Sequence, residues 1–351
     1  DITAPDPGGM PGDAPDVYYL VLDGYAREDV LREFFGYDDA PFLGQLEDMG
    51  FYVAREARNN YPLSSLSFAS SLNYRYLEEL AASVGRDSMR SEAAHALIRE
   101  NHLMSNVDAF GYRIVHFNSG WWPTEHSPLA DVCHGFCRLG DQFPSALLGY
   151  TPLGGLSEMA SRGRIIKTFE ELPAAVSDDD GPTFVFAHVM VPHPPYLLDR
   201  DGEALEGGGL HVPREVGEDA DKYLEAVRFA NRSVLRVVQE ILSREDRPDP
   251  IIILTSDHGT SSTADGGPSG WNNPSDELIW ERSSILSAYR VPRRMEKRLY
   301  PGITPINGVR LLLSECFGAD LPLLEDRVFF SSYLRPYDWS DVTGVSPHKR
   351  D

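Results

Sequence analysis

Two apolar runs in this chain each stop at an aspartate. Val17 to Leu22 reads Val-Tyr-Tyr-Leu-Val-Leu before Asp23 and Gly24, and Ile251 to Ser256 reads Ile-Ile-Ile-Leu-Thr-Ser before Asp257, His258 and Gly259. Neither run alternates apolar with polar, so both predict strands covered on both faces, as in a parallel sheet. Further strands are predicted over Phe51 to Ala57, Tyr112 to Phe117, Thr183 to Val189 and Ile285 to Val291. Helical spacing falls at Glu28 to Phe35, Pro41 to Met49, from Ser64 onward, Ser91 to Glu100, Arg164 to Leu172 and Gly308 to Phe317. The longest helix, about Asp219 to Ser243, sets Tyr223, Val227, Ala230, Val234, Val238 and Leu242 on one face. Asp131 to Ser161 carries no sustained period and reads as a loop insertion with broken helices. A polar loop is predicted from Gly259 to about Glu277.

Strands and helices alternate throughout. This predicts a three-layer α/β/α sandwich around a mostly parallel sheet, one domain over residues 17–351. Residues 1–16, rich in Pro, Gly and Asp, read as a flexible linker. The 351 residues are 42% hydrophobic, enough for a substantial core. Thirty-two basic residues against 54 acidic ones give a formal charge of -22, which argues against nucleic acid as a partner. No apolar run approaches the roughly 18 residues of a membrane span, and no basic leader with an apolar core precedes the fold. Cys316 falls in an apolar helix and reads as core. Cys133 and Cys137 are close enough to pair if the backbone allows, which an exported protein would permit. A zinc site on Cys133, His134 and Cys137 lacks a fourth ligand.

In an open α/β sheet the site forms where parallel strands end. Side by side, the two Asp-terminated strands bring Asp23, Asp257 and His258 together, a donor set of two carboxylates and an imidazole that suits zinc or manganese better than calcium. Ser64 follows Asn60-Tyr61-Pro62-Leu63 at a helix start, where helix dipole and cation both favour an alkoxide, and is the candidate fourth ligand and nucleophile. His193, in the turn Pro192-His193-Pro194-Pro195 beyond a strand, is a candidate phosphoryl contact and leaving-group acid. His188, within that strand, reads as a buried residue bonded to a neighbour. Trp121 and Trp122 are candidate walls of the substrate pocket, with packing of a loop onto the core as the alternative, and Arg282 is a candidate phosphate partner.

Asp23 on the first strand, the Asn-Tyr-Pro-x-Ser-x-x-Ser segment from Asn60, Pro192-His-Pro-Pro195 and Ser256-Asp-His-Gly259 together resemble the alkaline phosphatase superfamily. The match is closest to its sulfatase-like branch, which includes lipoteichoic acid synthase and the phosphoethanolamine transferases. The resemblance spans about Val17 to Leu324. It implies one divalent metal held by Asp23, the nucleophile Ser64, and Asp257 with His258. The branch usually carries threonine where Ser64 stands. Two-zinc members use histidines after the Asp-His pair, whereas here none lies between His258 and His348, so one ion is expected. Sulfatases make formylglycine from a Cys or Ser followed by x-Pro-x-Arg, and Ser64-Ser-Leu-Ser-Phe68 has neither the Pro nor the Arg.

The expected function is therefore metal-dependent phosphotransfer from a phosphodiester through a phosphoseryl intermediate, outside the cytoplasm, with a glycan or lipid hydroxyl as acceptor. The resemblance also implies a membrane anchor ahead of the linker-like start. Hydrolysis with water as acceptor is the alternative within the same chemistry. A catalytically silent binding module is the alternative outside it, opposed by retention of all four proposed ligands.

Overall fold

The computed structural model describes residues 14–135, 154–177, 181–206, 219–245, 247–263 and 271–346. Seven strands form the central sheet: β1 (Val17–Leu22), β2 (Tyr52–Val53), β3 (Arg113–Phe117), β4 (Val132–His134), β5 (Thr183–Val189), β6 (Ile251–Ser256) and β7 (Ser287–Arg290). Their order is β2-β7-β6-β1-β5-β3-β4. The run from β6 through β4 is parallel, and β7 enters antiparallel to β6. A separate pair, β8 (Phe329–Ser332) and β9 (Arg335–Asp341), lies near the end of the chain.

The layers follow from the pleat. Along β1, Val17, Tyr19 and Val21 join one core, while Tyr18, Leu20 and Leu22 join the other. The same split recurs in β5, with Phe184 and Phe186 against Val185, Ala187 and Val189. Successive side chains point to opposite faces, so a strand covered on both must be apolar throughout. On the first face lie the helices Ser64–Ser71 and Pro305–Phe317, contributing Leu66, Phe68, Val309 and Leu312. The second face is covered by Glu28–Phe35, Ala40–Asp48, Gly154–Glu171 and Ala220–Leu242. In the last of these, Tyr223, Val227, Ala230, Val234 and Val238 are buried, with Leu242 packed at the edge.

Several boundaries differ from the sequence reading. The strand expected over Phe51 to Ala57 is reduced to Tyr52–Val53, because the chain turns at Arg55 and Glu56 to bond Pro301. Asp16, placed in the linker from composition, is buried: its carboxylate pairs with Arg247 and its carbonyl accepts from Ile251 N. The insertion over Asp131 to Ser161 opens with the edge strand β4, and the helix expected from Arg164 begins at Gly154. Residues 136–153 of it lie outside the described residues. The polar loop gives way to a helix at Asp276–Ser283, capped by Ser275 Oγ accepting from Leu278 N. Helices at Glu78–Val84 and His102–Ala109 were also not anticipated. Cys316 is free and Cys133 is disulfide-bonded, while Cys137 lies outside the described residues.

Candidate metal centre

Sheet register builds the site. Leu22 pairs with Ser256 on one side and Val189 on the other, so the next residues, Asp23 and Asp257, leave adjacent parallel strands in the same row. Both are buried. The turn after β6 is held from several directions: Asn59 Nδ2 and Ser67 Oγ donate to the Asp257 carbonyl at 3.1 and 2.7 Å, and Ser256 Oγ donates to the His258 carbonyl at 2.7 Å. Gly259 has no room for a side chain, since a Cβ there would stand 2.2 Å from the Glu281 carbonyl oxygen.

Asp257 Oδ1 accepts from the backbone N–H groups of Gly24 and His258 at 3.2 and 3.0 Å. Its Oδ2 has no hydrogen-bond partner, and neither has Asp23 Oδ1, although both are buried. An unpaired carboxylate oxygen in the interior costs several kcal/mol, roughly, unless a cation answers it. His258 supplies the third donor. Its Nδ1–H donates to the Gly259 carbonyl at 2.9 Å, which leaves the Nε2 lone pair facing inward. Nε2 lies 3.4 Å from Asp23 Oδ1 and 3.3 Å from Asp257 Oδ2, and accepts from Ser64 Oγ at 3.0 Å. Donor atoms about 2.1 Å from a tetrahedral ion stand about 3.4 Å apart. The residues therefore fit a zinc-sized cation.

The electrostatics agree. Burial opposes ionisation of Asp23, but His193 at the rim and the hydrogen bond from His188 outweigh it and hold the carboxyl below the usual range. Burial and the adjacent Asp23 charge push Asp257 up to about 6. Burial, with the Arg282 guanidinium nearby, holds His258 well below its ordinary value, so the imidazole is neutral, the form a metal binds.

Ser64 is the first residue of its helix, and the extended N-cap is Leu63, with no side-chain cap bond. The hydroxyl is thus turned to the site rather than to the helix end. His193 is partly exposed at the rim. Its Nδ1 bonds the Pro194 carbonyl and its Nε2 stands 3.9 Å from Asp23 Oδ1, so Asp23, His193 and His258 form one compact group of donors.

Two other candidates lie differently. Arg282 is buried behind the site, with Nε donating to the Pro62 carbonyl at 2.8 Å and a terminal N–H to the Gly259 carbonyl at 2.9 Å. It stacks over Trp271 and braces the Ser64 turn against the His258 turn. Trp122 faces outward, 39% exposed, against His95 and Arg99. Trp121 turns inward, onto Phe68 and His188.

His188 donates from Nε2 to Asp23 Oδ2 at 3.2 Å and joins a second donor group with Asp23 and Asp257. Glu281 was missed altogether. Fully buried, its carboxylate accepts from Thr260 Oγ1 and from the backbone and hydroxyl of Ser262 and Thr263, all at 2.6–3.0 Å. Lying in Asp276-Glu-Leu-Ile-Trp-Glu-Arg-Ser283, where five of the eight residues are charged or polar, it carries no distinguishing signal in sequence.

The profile of the family described as Sulfatase matches residues 17–282, more than half of the chain. No curated protein sequence matches. Among solved structures, the zinc complex of the C-terminal periplasmic domain of EptC from Escherichia coli is 13% identical, covers 99% of this chain and 97% of its own, and superposes with a TM-score of 0.64. The soluble domain of lipooligosaccharide phosphoethanolamine transferase A from Neisseria meningitidis is 11% identical, covering 89% and 90%, with a TM-score of 0.55. A 2-O glycosaminoglycan sulfatase, BT1596, is 13% identical, covering 88% and 72%, also at 0.55. At such identities the likeness is one of fold.

Proposed function

Since the chain belongs to the sulfatase family, within the alkaline phosphatase-like superfamily, we propose that it is a metal-dependent phosphotransferase that acts on phosphodiesters outside the cytoplasm. The observation that carries this reading is the meeting of two unpaired buried carboxylate oxygens, Asp23 Oδ1 and Asp257 Oδ2, with His258 Nε2 and the Ser64 hydroxyl. Asp23, Asp257, His258 and Ser64 would hold one zinc or manganese ion. When bound, the ion lowers the pKa of the serine hydroxyl and offsets charge on the phosphoryl oxygens.

Ser64 Oγ, its proton released to solvent beforehand, then attacks phosphorus as an alkoxide. The bond from phosphorus to the serine oxygen forms as that to the leaving alcohol breaks, and a protonated His193 hands its Nε2 proton to the departing oxygen. The phosphoryl group, still esterified on its other side, is left on Ser64. In the second half, neutral His193 takes the proton of an acceptor hydroxyl, which attacks phosphorus and returns Ser64 to its starting state. Sulfate ester cleavage is disfavoured, because formylglycine formation requires a Pro and an Arg that Ser64-Ser-Leu-Ser-Phe68 lacks.

The extracytoplasmic placement rests on the periplasmic neighbours and on the bonded state of Cys133, which suits an oxidising compartment. No described helix is long and apolar enough to cross a membrane. The integral membrane form of the Neisseria meningitidis transferase covers 89% of this chain and extends well beyond it, since only 56% of that protein is matched. By that comparison an upstream anchor and a lipid or glycan acceptor are proposed here.

The test is mass spectrometry of the Ser64 peptide after mixing zinc-loaded protein with a chromogenic phosphodiester, with and without an acceptor alcohol. A phosphoryl ester on Ser64, and an alcohol-dependent product, are expected. Water as acceptor under every condition would leave a hydrolase, and no metal-dependent turnover of any ester would leave a binding module.

A further inference from the structure

Asp23 offers the metal site one oxygen, Oδ1, and its other oxygen faces the protein. From Oδ2 a line of hydrogen bonds runs away from the site through side chains that are all buried. His188 Nε2 is 3.2 Å from Asp23 Oδ2, His188 Nδ1 is 2.8 Å from Thr124 Oγ1, Thr124 Oγ1 is 2.8 Å from Ser119 Oγ, and Ser119 Oγ is 2.9 Å from the backbone nitrogen of Trp121.

With the His188 ring neutral, counting protons gives each bond a direction. A ligating carboxylate only accepts, so His188 Nε2 carries the hydrogen and, in a neutral ring, Nδ1 has the lone pair. Thr124 must then give its only proton to His188. Having none left, it accepts from Ser119, and Ser119 in turn accepts from the Trp121 N–H. All four bonds point toward Asp23.

Two features keep the line taut. The Thr124 carbonyl is held by His116 Nε2 at 2.9 Å, and Thr124 has φ -117° and ψ 15°, the non-helical member of the short turn Trp122–Glu125. The His188 ring is packed edge-on between Phe68, 4.6 Å away on the Ser64 helix, and Trp121, 5.7 Å away. The Thr124 hydroxyl has one proton and cannot turn away without leaving His188 Nδ1 unpaired in the interior, while Ser119 Oγ has a second, longer acceptor in the Trp121 carbonyl at 3.2 Å.

We propose that Thr124 is a positioning residue of the metal centre: through its single hydroxyl it sets the ring of His188, and with it the carboxylate of Asp23, and joins the seating of the Trp121 loop to occupancy by a divalent cation. This rests on the reading of Asp23 as a ligand.

The experiment measures zinc binding by calorimetry and by tryptophan emission, on wild type, Thr124→Val, Thr124→Ser and Trp121→Phe. Zinc is expected to change the emission of wild type, and Trp121→Phe to lose most of that change. Thr124→Val keeps the side-chain volume but breaks two bonds of the line. It should bind zinc about 10- to 100-fold more weakly, the range for lost partners of metal ligands, and without the emission change. Thr124→Ser should recover both. A valine variant that binds zinc as tightly as wild type, with the same emission response, overturns the proposal. If near-ultraviolet circular dichroism shows that variant unfolded, Ser119→Ala takes its place: a weaker, emission-silent zinc complex supports the line and an unchanged one overturns it. A wild type that binds no divalent ion defeats the metal reading itself, whereas binding indifferent to Thr124 defeats only this inference.

Discussion

Ser64 Oγ stands 3.0 Å from His258 Nε2, although 194 residues separate them in the chain. Because Leu63 rather than Ser64 caps the helix, the hydroxyl contributes little to helix stability. Ser64→Ala should therefore lower kcat at least about 1,000-fold while shifting the unfolding free energy by no more than about 1 kcal/mol. Steady-state kinetics and urea denaturation on the same samples check both halves. Retained turnover would move the nucleophile to another hydroxyl, with Ser65 the next nearest in the chain. Ser67 is already committed to the Asp257 carbonyl.

Asp257→Asn separates the cost of the empty site from its use. In the metal-free protein Asp23 and Asp257 oppose each other across unpaired oxygens. The asparagine variant, measured in a chelator, should melt at or above the wild-type temperature. Added zinc should reverse the order, since an ion present at 100 times its dissociation constant stabilises by about 2.7 kcal/mol and the variant binds it poorly. Thermal melts of both proteins with chelator and with zinc decide the matter. A variant that melts well below wild type in chelator would mean that Asp257 is structural.

How much of this was legible beforehand depends on what each residue's signal was. The metal ligands were visible because each of two strongly apolar runs, the second closing on Thr255 and Ser256, stops at a charged residue, and parallel register did the rest. Ser64 was visible through the proline turn before its helix. Arg282 was legible as a candidate phosphate partner but not as a brace, because backbone carbonyls leave no mark in sequence. Thr124, Ser119 and Glu281 were illegible for the same reason: hydroxyls and carboxylates that bond within the protein look like any surface residue until the fold brings their partners. The edge strand Val132–His134 is three residues long and only partly buried, too short for a period. Short helices such as Glu78–Val84 bury little and give a weak pattern.

Glu281 anchors the loop after the metal-binding turn. It accepts five hydrogen bonds through two oxygens from Thr260, Ser262 and Thr263. Glu281→Gln replaces one acceptor oxygen by a donor that faces the backbone N–H of Ser262 or Thr263. A loss of about 2–4 kcal/mol is expected, read from the urea midpoint. Because the Glu281 carbonyl also backs Gly259, zinc affinity should fall in the same variant. A stability loss below about 0.5 kcal/mol would mean that the loop is held by other contacts.

Asp39 gives a pH dependence independent of the metal. It is buried on the face opposite Ser64, with Oδ2 3.0 Å from the Tyr25 hydroxyl and Oδ1 accepting from Asn231 Nδ2 at 2.7 Å. The Tyr25 hydroxyl is also 2.5 Å from Asn231 Oδ1. One phenolic proton cannot serve both oxygens, so the ring of three closes only if Asp39 is protonated and donates to Tyr25, which donates to Asn231, which donates back to Asp39. Burial raises the Asp39 pKa from 3.8 to about 7, against the opposing hydrogen bond of Asn231. The folded protein thus holds a proton that the unfolded chain releases. Its contribution to stability is complete below pH 3.8, falls as pH rises and is gone above about pH 7, a span worth at most about 4 kcal/mol. Asparagine at this position donates to Tyr25 and accepts from Asn231 at any pH. Asp39→Asn should match wild type near pH 4, exceed it by a few kcal/mol at pH 8, and lack this part of the slope. Urea denaturation at both pH values tests it, and parallel stability profiles for the two proteins would show that Asp39 is ionised in the folded state.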